Sequence, residues 1–361
     1  MGRFVKRKYL IGACSTVSIC LATNAFAQQP VSDQSDSDAS SLEEMQEIII
    51  SATRRNEKLQ DVPVSVSVFQ PEKLNAEGIV GYEGLASLTP GVVINKASQN
   101  FNNFSARGLA TNGYGAGLGA TVAIYIDELP ISANGNSTIL DPNLYDVERV
   151  EFLRGPQGTL FGSGSLAGAA RILLKQPDLD GFGYSVLVDY GLTGSDSIRQ
   201  RYNGMINVPL IEDELALRIV GSYKNEDGYV DNIGTGIENA NSLEDWSVRA
   251  SMLWEPNDVL SLKLMVNHQD SQPADASLIS PHLGKNVRYS TRPDVYAGKL
   301  TTYNATLEYQ FDGARLISST TYGSWDAVFN VDLDDTFYGA IPFLLDATGY
   351  DDIFVEEFRL V

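Results

Sequence analysis

Cysteine, histidine and positive charge are all scarce in this 361-residue chain, and each shortage removes a class of function. Both cysteines, Cys14 and Cys20, fall within the first 27 residues. Once that segment is cleaved, disulfides, thiolate metal sites and cysteine nucleophiles are excluded. The two histidines, His268 and His282, stand in no ligand-like spacing and read as exposed loop residues, so neither a zinc site nor a histidine base has support. Lys and Arg number 26 against 46 Asp and Glu, a formal charge of −20. Nucleic acid is excluded as a partner, because phosphate contacts need a basic surface. No nucleophile, base and orienting group occur at a recognisable spacing, which argues against an enzyme. Beyond the first 27 residues no apolar run reaches the roughly 20 residues of a spanning helix. A mature chain resident in a membrane would then have to cross it as a closed barrel.

What is present begins with a secretory signal over residues 1–27. Arg3, Lys6, Arg7 and Lys8 precede an apolar run from Tyr9 to Leu21, and Ala25-Phe26-Ala27 offers a cleavage site before Gln28. Residues 28–45 are rich in Ser, Asp and Gln and predict a flexible tail, having too little apolar surface to offset the entropy of ordering. At residues 46–55 the chain turns apolar, with Ile48-Ile49-Ile50 followed by Ser51-Ala52-Thr53-Arg54-Arg55. This predicts a short extended segment on a tether.

Residues 56–178 predict a compact mixed α/β domain. Val62, Val64, Val66 and Val68 alternate with polar positions, the period of a half-buried strand. Pro71 suits the first turn of a helix that Gly78 stops, and a second short helix over Tyr82–Leu88 ends at Thr89-Pro90-Gly91. Extended pieces follow at Val92–Asn95, Asn102–Arg107, Val122–Asp127, Val147–Leu153 and Ala170–Lys175.

From residue 184 to 361 the texture becomes alternating segments of about ten residues, the length of barrel strands tilted through a bilayer. The expected strands are Tyr184–Tyr190, Ile198–Val208, Glu214–Lys224, Glu244–Trp254, Val259–His268, Leu300–Phe311, Ala314–Asp326 and Asp352–Val361. Tight connections at Pro209–Asp213, Glu255–Asp258 and Asp312-Gly313 alternate with long ones at Asn225–Leu243 and Gln269–Lys299. Outer-membrane barrels have that asymmetry, with short periplasmic turns and long external loops. Tyr184, Tyr190, Tyr223, Trp254, Tyr309 and Trp325 fall near strand ends, where aromatic girdles belong. A soluble β-sandwich would also alternate and use turns.

The loop Gly115-Ala116-Gly117-Leu118-Gly119-Ala120 matches a dinucleotide fingerprint only formally, because no helix follows it. The informative run is Val147-Glu148-Arg149-Val150-Glu151-Phe152-Leu153-Arg154-Gly155-Pro156-Gln157-Gly158-Thr159-Leu160-Phe161-Gly162, continued by Gly164-Ser165-Leu166-Ala167-Gly168-Ala169-Ala170. It resembles the plug-domain signature of TonB-dependent outer-membrane receptors, with Gly155, Pro156, Gln157, Gly158 and Gly162 as its core. The resemblance extends through Asp61–Phe69, Leu85–Val93, Ser105-Ala106-Arg107-Gly108 and Val122–Pro130. Gly168-Ala169-Ala170-Arg171 departs from it where many relatives have Gly-Gly followed by Ile-Asn.

The resemblance implies a mixed α/β plug followed by an antiparallel transmembrane β-barrel, here about eight strands of a plugged barrel of about 22. Val361 is not the terminal aromatic residue such barrels present, so the expectation is a fragment or truncated product. Function would be uptake of a scarce ligand, a ferric siderophore by default, across the outer membrane of a Gram-negative bacterium. The receptor would be a monomer in lipid and would need no cofactor. TonB would supply energy by strand addition to Glu47, Ile48, Ile49, Ile50, Ser51 and Ala52. Arg107 and Arg154 resemble plug arginines that lock onto barrel-wall glutamates, with Glu357 as candidate partner. The alternatives are a non-transporting surface or secreted β-protein and a non-functional truncated receptor.

Overall fold

The computed structural model describes residues 49–50, 57–110, 120–131, 140–162, 164–193, 197–332 and 344–361. The expected signal and tail, the glycine-rich loop near Gly117, and Glu47, Ile48, Ser51 and Ala52 lie outside the described residues.

Strand β1 (Ile49–Ile50) pairs antiparallel with β2 (Glu57–Lys58). Strand β3 (Ser65–Phe69) leads into helix α1 (Pro71–Ala76), which Pro71 starts with its fixed φ and Gly78 closes at φ 64°. Helix α2 (Tyr82–Ser87) stops ahead of Pro90. Strands β4 (Val92–Ser98), β5 (Phe101–Ala106) and β6 (Leu109–Ala110) then form a small antiparallel sheet. After them come β7 (Val122–Ile126), β8 (Leu129–Pro130), β9 (Val147–Arg154), the single-turn helix α3 (Gly158–Phe161) and β10 (Gly168–Leu174).

Five of these strands make the domain's central sheet, in the order β3-β9-β10-β7-β8, with β10 and β7 parallel and the other pairs antiparallel. Its two faces bury different cores. Val150, Phe152, Ala170 and Ile172 pack with Leu74, Tyr82 and Leu85 of the helices. Leu153, Ala169, Ala123 and Tyr125 pack on the opposite face with Ile50, Val62 and Phe161. Val64, Val66 and Val68 join that second core, as their alternation requires.

A single antiparallel meander follows. It consists of β11 (Gly183–Thr193), β12 (Ser197–Ile211), β13 (Leu215–Glu226), β15 (Leu243–Asn257), β16 (Leu260–Pro273), β18 (Tyr296–Phe311), β19 (Ala314–Asp332) and β20 (Leu344–Leu360), each bonded to the next. The short strands β14 (Asp231–Asn232) and β17 (Val287–Arg288) pair in parallel and tie the two long connections together. Strands run from 11 to 19 residues, longer than the hydropathy pattern predicts. The ladder continues past the clearly alternating stretch at the long-loop end, so the last strand starts at Leu344 rather than Asp352.

One face of this sheet is exposed and apolar, as with Tyr184, Val186, Tyr190 and Leu192 on β11 and Phe354 and Phe358 on β20. The other face receives the first domain, and Met265 of β16 enters that domain's core. Two readings need correction. Trp325 lies on the inner parity of β19, close against Gly349 of β20, and is not part of an outer aromatic girdle. His268 is not a loop residue: it lies in β16, its ring 4.9 Å from that of Trp246 and its Nδ1 2.7 Å from Thr301 Oγ1.

Gly168 faces Leu153 across the sheet so closely that a Cβ there would sit 2.4 Å from the Leu153 carbonyl oxygen. Gly168→Ala should therefore destabilise the central sheet by about 1–3 kcal/mol. Amide protection in Val147–Arg154 and Gly168–Leu174 should be lost at lower urea than in the parent. Unchanged protection would contradict the close approach.

Candidate functional site

The first domain meets the meander through carboxylates in its tight turns and cations on the wall. Asp146, just before β9, has a left-handed backbone (φ 59°), as does Asp127 between β7 and β8 (φ 50°). Asp tolerates that conformation better than most residues, since its short polar side chain can bond locally. Here it also places a carboxylate at the tip of each turn. The Arg218 guanidinium of β13 forks onto Asp146, with Nε 2.7 Å from Oδ2 and Nη2 2.5 Å from Oδ1. Arg249 of β15 donates to the Asp146 carbonyl at 3.0 Å. Lys263 Nζ of β16 lies 2.6 Å from Asp127 Oδ2, whose other oxygen accepts the Leu174 amide at 2.8 Å. Arg359 of β20 reaches the neighbouring Glu128 at 2.9 Å.

Toward the long-loop end the contacts lose their charge. Gln269 Nε2 donates to the Asp141 carbonyl at 2.8 Å. Asn100 Nδ2 donates to the Tyr296 carbonyl at 2.7 Å, while Phe101 packs edge-on against the Tyr296 ring at 5.5 Å. Within the first domain, Lys96 Nζ lies 2.9 Å from Asp141 Oδ2. Burial pulls the Lys96 pKa down, but the Asp141 carboxylate, with Glu83 and Glu226 further off, offsets this and holds the ammonium above the ordinary lysine value.

The long connections are themselves stitched together. Buried Arg288 donates to Asp275 at 2.5 Å and to Asp294 at 2.6 Å. Asn232 Nδ2 bonds both Asp275 (2.9 Å) and Ser290 (2.7 Å). Asp332 of β19 accepts the Thr291 amide and hydroxyl, each at 2.7 Å.

The glycine-punctuated run after β9 forms a closed return loop. Gly155 N donates to Ala167 O and Gln157 N to Ser165 O, both at 2.9 Å, and Tyr125 Oη caps the Phe161 carbonyl at 3.0 Å. Gly162 (φ 63°, ψ −151°) occupies backbone space that a side chain forbids. Gly155 is needed for its φ of 107°, and the mobile end of the Arg107 side chain lies 3.1 Å from where a Cβ would point.

The expected lock is not formed as anticipated. Arg107 sits on an exposed turn, Arg154 donates to the Pro90 carbonyl at 3.2 Å, and Glu357 lies 3.3 Å from Arg359 on its own strand. Among the described residues no ion pair joins either arginine to Glu357. The polarity is reversed, with anions on the first domain and cations on the wall. Arg218, Arg249 and Lys263 were legible only as inward-parity positions of their strands, and nothing in sequence paired them with Asp146 and Asp127. The tether expectation also needs revision at Ile50, which is fully buried in the second core.

A compact domain seated by charge on the inner face of an antiparallel wall is the architecture of a plugged outer-membrane barrel. Residues 58–169 match the TonB-dependent Receptor Plug Domain family, and the eight-stranded wall that follows resembles part of the barrel of TonB-dependent receptors. Members of that family are transporters, not enzymes. Over 194 residues the chain is 29% identical to the pesticin receptor of Yersinia pestis, a match covering 52% of this chain and 27% of that protein. Against the ferripyoverdine receptor of Pseudomonas aeruginosa it is 26% identical over 190 residues, 51% of this chain and 21% of that one. The fold resembles the ferric yersiniabactin uptake receptor of Yersinia pestis with a TM-score of 0.68 at 20% identity, covering 82% of this chain and 45% of that one. The chain thus spans less than half the length of the relatives it matches.

Asp146→Asn keeps a residue suited to the left-handed turn but removes the charge between two buried arginines. Loss of one partner of a buried pair costs about 3–5 kcal/mol, so limited proteolysis should release the plug from the wall far faster than in the parent. Arg107→Ala, on an exposed turn, should release at the parental rate. The reverse ranking would restore the original lock assignment.

Proposed function

We propose that this chain forms the plug and first wall strands of an outer-membrane receptor that imports a scarce ferric chelate. A siderophore is the favoured cargo, because relatives are named for ferripyoverdine and ferric yersiniabactin. TonB captures Glu47–Ala52 by strand addition and pulls on the plug from the periplasm. The receptor is a monomer in outer-membrane lipid, with its tight turns facing the periplasm and its long loops outside. Arg107, Arg154 and Glu357 line the plug and wall without forming the lock themselves.

The observation that carries this reading is the set of wall cations gripping plug carboxylates, while among the described residues Ile49–Ile50 pairs with the two-residue strand β2. Withdrawing the segment breaks this short ladder and uncovers Ile50, a local cost that a competing strand offsets with a ladder of its own while the ion pairs stay closed. The rest of the plug stays anchored until more force arrives. A non-transporting surface protein would have no use for that difference.

The test is binding of the TonB periplasmic domain to the detergent-solubilised chain. Ile49→Pro removes a ladder donor and should weaken binding by more than about tenfold, whereas Ile49→Ala should change it little because main-chain bonds carry the affinity. Parental affinity in Ile49→Pro would remove this segment from the coupling role. In an intact receptor carrying these residues, radioactive ferric siderophore uptake should follow the same order.

A further inference from the structure

We propose that Arg171 is the positioning residue through which the coupling strand β1 controls the plug's grip on the barrel wall, an inference that rests on the coupling role of that strand. The case begins with two rows of side chains across the central sheet. Val66, Leu153, Ala169 and Ala123 stand opposite one another on β3, β9, β10 and β7, and the next row is Val68, Glu151, Arg171 and Tyr125. Side-chain parity puts both rows on one face, the face where Ile50 and Phe161 pack. A buried ion pair therefore shares its face with the coupling strand.

The pair is thoroughly desolvated: Glu151 is 0% and Arg171 2% exposed. Arg171 Nη1 lies 3.4 Å from Glu151 Oε2, whose partner oxygen accepts Arg149 Nε at 2.7 Å. The Arg171 guanidinium also sits 5.8 Å from the Phe161 ring centroid, within cation–π range. From there the charges alternate outward. Arg171 Nη2 is 3.8 Å from Glu128 Oε1, and Glu128 Oε2 is 2.9 Å from Arg359 on β20. One continuous series of opposite charges thus runs from the sheet face that carries Ile50 to the wall.

Ile50 and Phe161 pack in one cluster with Ala123 and Ala169 of the neighbouring row, so the coupling strand belongs to the apolar layer on the face that carries this pair. Charges in a dry interior interact far more strongly than charges in water. When β1 is withdrawn, water reaches Arg171 and Glu151, their attraction is screened, and Arg171 no longer holds Glu128 in place for Arg359. The wall contact at β20 loosens because the strand has left. The Asp146 clamp stands apart from this series and is unaffected.

Hydrogen–deuterium exchange on the full chain in detergent micelles tests this, with Ile50→Asp standing in for strand withdrawal. Ile50→Asp should speed exchange about tenfold or more both in β9 around Glu151 and in the turn at Asp127–Leu129, and leave the Asp146 turn unchanged. In an Arg171→Met background, of similar length but uncharged, β9 should still respond while the Asp127–Leu129 turn should not. Arg171→Lys, which keeps the charge, should restore the turn's response. Should Arg171→Met unfold the plug, Glu128→Gln interrupts the same series outside the core and must silence the turn equally. A turn that responds to Ile50→Asp equally with Met at 171 and Gln at 128, or one that never responds, overturns the proposal. No TonB is present in this experiment, so its failure is distinct from failure of TonB to bind Glu47–Ala52.

Discussion

A carboxylate withdrawn from water must meet a cation in good geometry, and Asp146 between Arg218 and Arg249 is where the two halves of this molecule meet that requirement. The demand propagates in both directions. On the plug side it fixes the left-handed turn that starts β9, and with it the strand leading into the signature loop. On the wall side it fixes which parity of β13 and β15 faces inward, since a one-residue slip would turn Arg218 and Arg249 toward lipid. A sheet of small and apolar residues could slide in register at little cost. Charges on its inner face remove that freedom.

The plug is gripped differently along its height. Arg218, Lys263 and Arg359 sit near the tight-turn ends of their strands, whereas Gln269, Asn100 and Tyr296 make neutral contacts toward the long loops. Ionic contacts inside a partly dry lumen fall off slowly with distance, while hydrogen bonds fail within an ångström. A load applied from the tight-turn side therefore meets the stiffer set of contacts first. The upper contacts, with Phe101 against Tyr296 and Leu140 against Gly298 of the wall, hold the plug upright and centred rather than resisting a pull.

The eight wall strands were legible because period-two alternation survives wherever one face meets lipid and the other a polar interior, as in Leu260–Asn267. The plug's helices were legible from Pro71, Gly78 and Pro90. Strand ends at the long-loop rim were not, because Asp326–Asp332 and Leu344–Asp351 continue the ladder through sequence whose apolar residues do not keep to one parity. Residue type flagged Arg107 and Arg154, but pairing is a property of three dimensions. Asp146 and Arg218 are 72 positions apart, and their match depends on how the plug is seated, which local pattern does not encode. Ile50 shows the same limit: an apolar residue on a tether and one tucked under a sheet read alike. Trp325 lies near a strand end as girdle residues do, but its odd position on β19 turns it inward.

The stitched loops carry a further consequence. Asn232 from one connection and Asp275, Arg288 and Ser290 from the other satisfy each other's buried polar groups, and Asp294 and Asp332 complete the set. A substitution that orphans any one of them leaves a desolvated donor or acceptor in the opposite loop. The two connections therefore cannot drift independently. Change in these two connections must then arrive as correlated pairs of mutations, or through insertions at the exposed tips that leave the knot intact, so the pair evolves as one inherited unit.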